Sequence, residues 1–445
     1  TQQNRMQKAD FPVVGGFAQD NIIEISSDRS INFYPAFHKM GKKKWSLNPT
    51  PGREFKLIVG GGPLRGALVF STNTTSDAYF CSGNSLYKMD ESYIVTSLGA
   101  ISFTTEEGFV RIVASQTQIL FCDGVSLLIY TISSNLLQQV VPPSGMVPAD
   151  ITYMDGYFIA VDAQTNNFYV SALDDGNSWT SPVRRALIDT SSNFCKGVMR
   201  LKRRLFLFGN NTTEVWLDAG ASNLPFRRDD NLLFEHGLEA VGSLVEGFDR
   251  AFYLSRNVNG VDSIKMIEGT VPIDISTYEI NKVIQKLNNT QSAIGTVWKM
   301  DGLIFYKITI DNRTFVYNVT LSTPDEPIWH EENEWGMING KMGWLRHTEN
   351  CHIFFKNQHF IGDYKGPSLF LYSSDIYSND GESIRRERWT SIFSDSNYLR
   401  IMVNRIQLDM LQGVGIIGSD SITLEDQVLY KDQYPQVELY VSVDG

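Results

Sequence analysis

A short, aromatic-rich strand pattern returns along this chain at a nearly constant interval, and that recurrence constrains the fold more than any other feature. Its cores read Ala78-Tyr79-Phe80, Ile119-Leu120-Phe121, Tyr157-Phe158-Ile159, Leu205-Phe206-Leu207-Phe208, Ala251-Phe252-Tyr253-Leu254, Leu303-Ile304-Phe305-Tyr306 and His352-Ile353-Phe354-Phe355. Their centres lie roughly 37 to 53 residues apart, the period of a four-stranded propeller blade. Seven copies predict an all-β, seven-bladed β-propeller. Turn chemistry agrees, because Asp123-Gly124, Asp155-Gly156 and Asp301-Gly302 sit beside the strand cores, and Asp-Gly supplies the positive φ angles of tight hairpins.

Three parts are expected. Residues 1–60 hold no strand core but carry Phe11-Pro12-Val13-Val14, Ile22-Ile23-Glu24-Ile25, Ile31-Asn32-Phe33-Tyr34-Pro35, a basic patch and Pro49-Thr50-Pro51-Gly52. That punctuation predicts an extended arm with short strands that closes or braces the array. Residues 61–385 form the propeller, interrupted by one helix over 276–287, where Ile280, Val283, Ile284 and Leu287 share a face. Residues 386–445 form a small C-terminal β-unit with strands at 399–403 and 437–441; the closing Ser442-Val443-Asp444-Gly445 is a turn with no following strand, so the natural chain is expected to continue.

Composition narrows the function classes. At 445 residues the chain exceeds one ordinary core, which favours an array around an axis. A net charge of −11 argues against a clamp that neutralises phosphates, yet suits a wall past which DNA must slide. No apolar run is long enough to span a bilayer and no secretory leader is visible, so a soluble chain is expected. Cys81, Cys122, Cys195 and Cys351 form no paired motif and are expected as buried free thiols. The Asn-x-Thr triplets at Asn73, Asn211, Asn312 and Asn318 are expected as turns.

Several motifs resolve into structural readings. Gly413-Val414-Gly415-Ile416-Ile417-Gly418 matches a dinucleotide fingerprint, but no apolar helical period follows it, so a glycine-rich turn is expected. Gly60-Gly61-Gly62 lacks the Lys-Ser/Thr of a phosphate loop. His347, Cys351 and His352 lack a fourth partner for a structural zinc site, and His330-Glu331-Glu332 lacks a second histidine at helical spacing. Asp174-Asp175-Gly176-Asn177-Ser178-Trp179 contains the D-x-G-x-x-W heart of an Asp-box turn, which is structural in sialidase-type propellers. Sialic-acid cleavage would need convergent arginines, a tyrosine and a carboxylate; Arg184, Arg185, Arg203, Arg204, Arg227 and Arg228 supply arginines without showing convergence. No cofactor, metal or catalytic residue is expected.

Ile31-Asn32-Phe33-Tyr34-Pro35 followed by Thr50-Pro51-Gly52 resembles the N-terminal signature of phage packaged-DNA stabilisation proteins, the tail accessory factors that build the hub or nozzle of short-tailed double-stranded-DNA phages (podoviruses). Phe208-Gly209-Asn210-Asn211-Thr212-Thr213-Glu214 is similar to that family's F-G-x-x-T-x-E segment. His236-Gly237-Leu238-Glu239-Ala240, Phe252-Tyr253-Leu254-Ser255 and Pro272-Ile273-Asp274-Ile275-Ser276 follow in the family's order, and the chain breaks off within a terminal S-x-D-G-G-x-x-W motif.

The resemblance implies a non-enzymatic virion protein of the phage tail, assembled in the host bacterial cytoplasm. Such proteins form a ring, commonly a hexamer, below the portal and its adaptor; they complete the head, retain packaged DNA, pass it without sequence specificity on ejection, and connect to a tail needle or tailspike. No membrane contact is implied. Ring or partner contacts are expected at Phe33, Tyr34, Lys42, Lys43, Lys44 and Trp45 in the arm and at Arg227 and Arg228. Two other readings stay open: a glycan-binding or glycan-cleaving propeller, which would carry an axial pocket with convergent charges, and a scaffold propeller unrelated to phages.

Overall fold

Six of the seven recurring cores become strands covered on both faces; in the seventh, Phe354 is 55% exposed. The computed structural model describes residues 13–19, 27–40, 43–72, 75–143, 145–179, 183–184, 194–221, 225–390, 407, 421–424 and 427–430. In it, seven antiparallel sheets form the blades. Blade 1 is Leu64–Ser71, Ser76–Ser82, Ser85–Met89 and Val95–Ser97. Blades 2 to 6 span 111–139, 148–184, 195–234, 237–274 and 294–331, and blade 7 begins with Glu349–Phe355, Gln358–Asp363 and Ser368–Ser373.

Alternation along each second strand sends its side chains into two different seams. In blade 2, Ile119 and Phe121 pack against blade 1, while Leu120 and Cys122 pack against blade 3. In blade 4, Leu205 and Leu207 face blade 3 while Phe206 and Phe208 face blade 5. A strand buried on both faces reads as a continuous apolar run, which is why the cores stand out in sequence. Seven apolar clusters result, one for each seam between neighbouring blades. The four cysteines are buried and form no disulfide; burial pushes Cys81 and Cys351 up to about 12 and Cys122 higher still.

Ring closure uses chain from both ends. Gly52–Ile58 pairs antiparallel with Ser368–Ser373 and supplies the fourth strand of blade 7, while Val59 and Leu64 join the apolar seam between blades 7 and 1. Upstream, Ser27–Ile31 extends blade 6 through one parallel pair, Ile31 with Glu331, and is flanked by Glu387–Trp389. Between these two strands the hairpin Phe33–Phe37 and Trp45–Pro49 folds against the disc, with Tyr34 and Ala36 in the seam between blades 6 and 7. A second hairpin, Asn333–Ile338 with Lys341–Arg346, is inserted between those blades.

That insertion shifts the seventh recurrence. His352-Ile353-Phe354-Phe355 lies on the first strand of blade 7, whereas the other six cores lie on second strands. Turns at 155–156 and 301–302 have both φ angles positive, and so do Phe248-Asp249 and Lys356-Asn357 at the equivalent place in blades 5 and 7. The helix covers Tyr278–Ile284, shorter than the apolar period suggests, capped by Thr277 and buried through Ile280 and Ile284. The glycine motif at 413–418 and the strands expected at 399–403 and 437–441 lie outside the described residues; Ser421–Leu424 pairs with Gln427–Tyr430.

Candidate functional site

The axis, where a ligand-binding propeller would place its pocket, is crossed by an ion pair. Arg111, from the first strand of blade 2, donates through Nε to Asp150 Oδ1 of blade 3 at 2.9 Å. Its Nη1 and Nη2 donate to the carbonyls of Leu244 and Val241 in blade 5 at 2.8 and 3.0 Å. Asp150 Oδ2 accepts from Val198 N of blade 4 at 3.1 Å. One pair therefore ties four blades. It can do so because the inner edge of blade 5 is broken into Gly237–Leu238, a 3-10 turn Val241–Ser243 and Val245–Gly247, which turns two carbonyls inward. Burial raises the Asp150 carboxyl, with Arg111 opposing. Arg65, also fully buried, donates to the carbonyls of Gly83, Thr105, Glu107 and Gly108, so its charge is spent on loop backbone.

The densest set of titratable groups lies in the seam between blades 6 and 7. Lys307 Nζ contacts Glu332 Oε2 at 2.6 Å and Glu349 Oε2 at 2.7 Å, and stands over the rings of Trp298 and Tyr372 at 4.8 and 4.9 Å. Burial opposes the ammonium charge, but Glu332 and Glu349 outweigh it and raise the lysine above its usual range. Burial likewise works against Glu332, yet Lys307 and the neighbouring histidines hold it at about 2. Burial and Lys307 lower His347 to about 4, so it is neutral at pH 7. His352 Nδ1 meets Glu349 Oε1 at 3.3 Å, and its Nε2 meets His359 Nδ1 at 3.0 Å.

Such a cluster resembles catalytic machinery, but among the described residues it is closed off from solvent, with Lys307, Glu332 and Glu349 all buried. The adjoining cavity, lined by Tyr34, Pro51, Trp298, Met300, Phe305, His330 and Glu332, measures about 10 Å³, the room of about one water. A cleft of about 110 Å³ between blades 5 and 6, bordered by Arg250, Glu268, Asp274 and Tyr317, is also well below the ~300 Å³ at which ligand pockets begin. The buried cluster is a cross-brace between blades.

The other motifs fall into structural places. In the Asp-box-like turn Trp179 Nε1 donates to Gly176 O and Asp175 Oδ1 accepts from Asn177 N, while Trp179 packs in the seam between blades 2 and 3. Among the described residues no three His, Cys, Asp or Glu side chains gather as a metal site. Arg203 and Arg204 lie at the first turn of blade 4 and Arg227 and Arg228 on its last strand, where Leu217 stands in register between Arg204 and Arg227; Arg185 lies outside the described residues.

The expected contact residues separate into two groups. Tyr34 is taken up inside the chain, its ring edge-on to Phe305 at 5.4 Å, and Phe33 is half-buried beside it. Lys43, Lys44 and Trp45 lie exposed at the free end of the hairpin; Lys42 lies outside the described residues. Arg227 is exposed, and Arg228 pairs with Asp230 at 2.6 Å. Sequence reasoning missed the second hairpin, whose Trp335 and Trp344 meet edge to face at 4.9 Å under Arg385 and whose Met337 and Met342 are exposed. The dipeptide Asn339-Gly340 was its signal.

The family model described as bacteriophage P22 Gp10, beta-propeller, matches residues 9–377. The chain belongs to this phage stabilisation family. No curated protein matches it. Among solved structures it is similar to the extracellular domain of a one-component system from B. thetaiotaomicron, with 10% identity and a TM-score of 0.44 over 72% of this chain and 39% of that one. It is also similar to virginiamycin B lyase from Staphylococcus aureus, with 11% identity and a TM-score of 0.43 over 73% of this chain and 98% of that one. The Neurospora crassa Pan2 WD40 domain gives 8% identity and a TM-score of 0.42 over 70% and 89%.

Proposed function

We propose that this member of the family is a structural virion protein of a short-tailed phage: a ring component below the portal and adaptor that extends the DNA channel, holds packaged DNA and connects to the distal tail needle or tailspike. The observation that carries this reading is the family match over residues 9–377. The bridged axis supports a non-enzymatic role, because Arg111 and Asp150 occupy the place where a propeller enzyme gathers its substrate. DNA would then pass through the ring, beside each disc.

The mechanism is mechanical and electrostatic. A propeller tied across its axis is a stiff plate, and a closed ring of plates bears internal pressure through its lateral contacts. A chain of net charge −11 forms a wall that phosphates do not adhere to, so the genome slides when released. Among the described residues no helix is long and apolar enough to cross a membrane, which is consistent with a virion component. The test is genetic: phage lacking this protein should package DNA and then leak it, and the full chain supplied in trans should restore filled, infectious particles. Stable filled particles without the protein, or hydrolysis of a sialoside or host polysaccharide by the purified chain, would overturn the reading.

A further inference from the structure

We infer that the tip of the 33–49 hairpin of one copy docks on the turn face of blade 3 of a second copy, with Lys39, Lys43 and Lys44 meeting Asp155, Asp174 and Asp175 around Met40 and Leu173. The inference rests on the ring reading above and names its lateral contact.

The tip is built to be presented. Its base is locked in the seam between blades 6 and 7 by Tyr34 and Ala36, and His38 N donates to Lys44 O at 2.7 Å to hold its end together. Beyond that base, Phe37 and Trp45 pack edge to face at 5.0 Å, and Met40 is 98% exposed. Lys39, Lys43 and Lys44 surround them, all exposed, and none makes an ion pair among the described residues. This cationic apolar knob stands on a chain of net charge −11.

Blade 3 carries the complementary surface. Its two turns are joined by Asp174 N donating to Gly156 O at 2.8 Å, and Leu173 projects between them, 62% exposed. Asp155 and Asp174 are exposed and Asp175 half-buried; none pairs with a cation among the described residues. Tyr153 Oη donates to Asp174 Oδ1 at 3.1 Å, and burial together with Asp174 and Asp155 pushes its phenol up to about 12. The comparable turn of blade 5 exposes Phe248 beside Asp249, but Glu246 and Glu268 there are engaged by Arg200 and Arg250.

The positions exclude self-satisfaction. The seam between blades 6 and 7 and blade 3 lie on opposite sides of a seven-bladed disc, so one chain cannot bring its own knob to its own acidic turns. A contact between two different patches is heterologous, and repetition closes it into a ring or extends it as a filament. DNA would use the lysines but leave Met40, Phe37 and Trp45 in water, whereas a second copy engages both the charges and the apolar centre.

The test is disulfide trapping in the full chain, in assembled particles and in concentrated purified protein. Because all four native cysteines are buried, Met40→Cys with Leu173→Cys should give a ladder of covalent oligomers on oxidation, the two single variants mixed should give dimers, and each alone should give none. Lys43→Glu with Lys44→Glu, or Asp155→Asn with Asp174→Asn, should cut trapping several-fold while leaving the melting temperature unchanged. Absence of the ladder in particles that still show rings overturns the contact and spares the ring reading; absence of both ladder and rings overturns the two together. Salt-sensitive DNA binding that is lost in the lysine variant, with no ladder, assigns the tip to DNA and likewise overturns the contact.

Discussion

At the residue scale, two buried ion pairs do different jobs and make different predictions. Lys307 is held between Glu332 and Glu349 with no route to solvent, so Lys307→Met should strand two carboxylates and destabilise by about 3–5 kcal/mol, as breaking one side of a buried pair does. Adding Glu332→Gln and Glu349→Gln should recover most of that loss; urea unfolding midpoints of the single and triple variants check it. Arg111→Ala should cost a similar ~3–5 kcal/mol by leaving Asp150 buried alone, with Asp150→Asn recovering part of it. A full-sized loss with no recovery from Asp150→Asn would show that packing against Phe109, over whose ring Arg111 lies at 4.7 Å, outweighs the charge.

Acid sensitivity follows from the same seam. His347 titrates at about 4 in the folded chain against an ordinary value of ~6.5, so the unfolded chain takes up its proton first as pH falls. Stability is then fully present above about pH 6.5 and falls between 6.5 and 4, by up to ~1.4 kcal/mol per pH unit for one such proton. Glu332, held at about 2, and Glu349, held lower than its usual range by Lys307 and His352 against the effect of burial, add losses of the same sign at lower pH. Thermal melts across pH 7.5 to 4.5 should show the decline, and His347→Gln should make it shallower without removing it, because burial also lowers His236 and His359 to about 4. The seam was only partly legible in sequence: His330-Glu331-Glu332 and the His347, Cys351 and His352 group stood out as motifs, but Lys307 carries no mark, and it meets Glu332 and Glu349 only because blades 6 and 7 face each other.

Among the elements, the strand cores announce themselves and the closing strand does not. Six of the seven cores sit where a fixed blade period puts them, because a strand buried on both faces must be apolar at every position. Gly52–Ile58 reads Gly-Arg-Glu-Phe-Lys-Leu-Ile, a half-exposed outer strand with no such run, and its partner lies some three hundred residues away in sequence. Only the shortage of a fourth strand after Ser368–Ser373 signals that the ring must be closed from elsewhere. The 33–49 hairpin likewise mixes two jobs that sequence cannot separate: Tyr34 and Ala36 belong to the core, Lys43, Lys44 and Trp45 to the surface. Replacing 38–44 by Asn-Gly should therefore leave stability within about 1 kcal/mol and abolish particle assembly. Deleting 1–58 should instead unfold the disc by removing the closing strand. Circular dichroism and denaturant unfolding of the two truncations distinguish these outcomes; a destabilised Asn-Gly variant would place the tip in the core's service.

For the whole molecule, the fold and family were legible because repetition and motif order survive across long stretches, whereas the candidate contact was not, because Met40 and Leu173 belong to unrelated turns that carry no shared signature. A stiff disc with a bridged axis, a basic knob on one side and acidic turns on the other is suited to lateral assembly around a channel. The most direct measurement is cryo-electron microscopy of the phage tail, or of the full chain with its portal and adaptor. A closed ring of seven-bladed discs around a DNA-wide channel, with each axis filled by Arg111 and Asp150, is the expected result. A protein that remains monomeric beside the portal, with ligand density at the propeller axis, would contradict it.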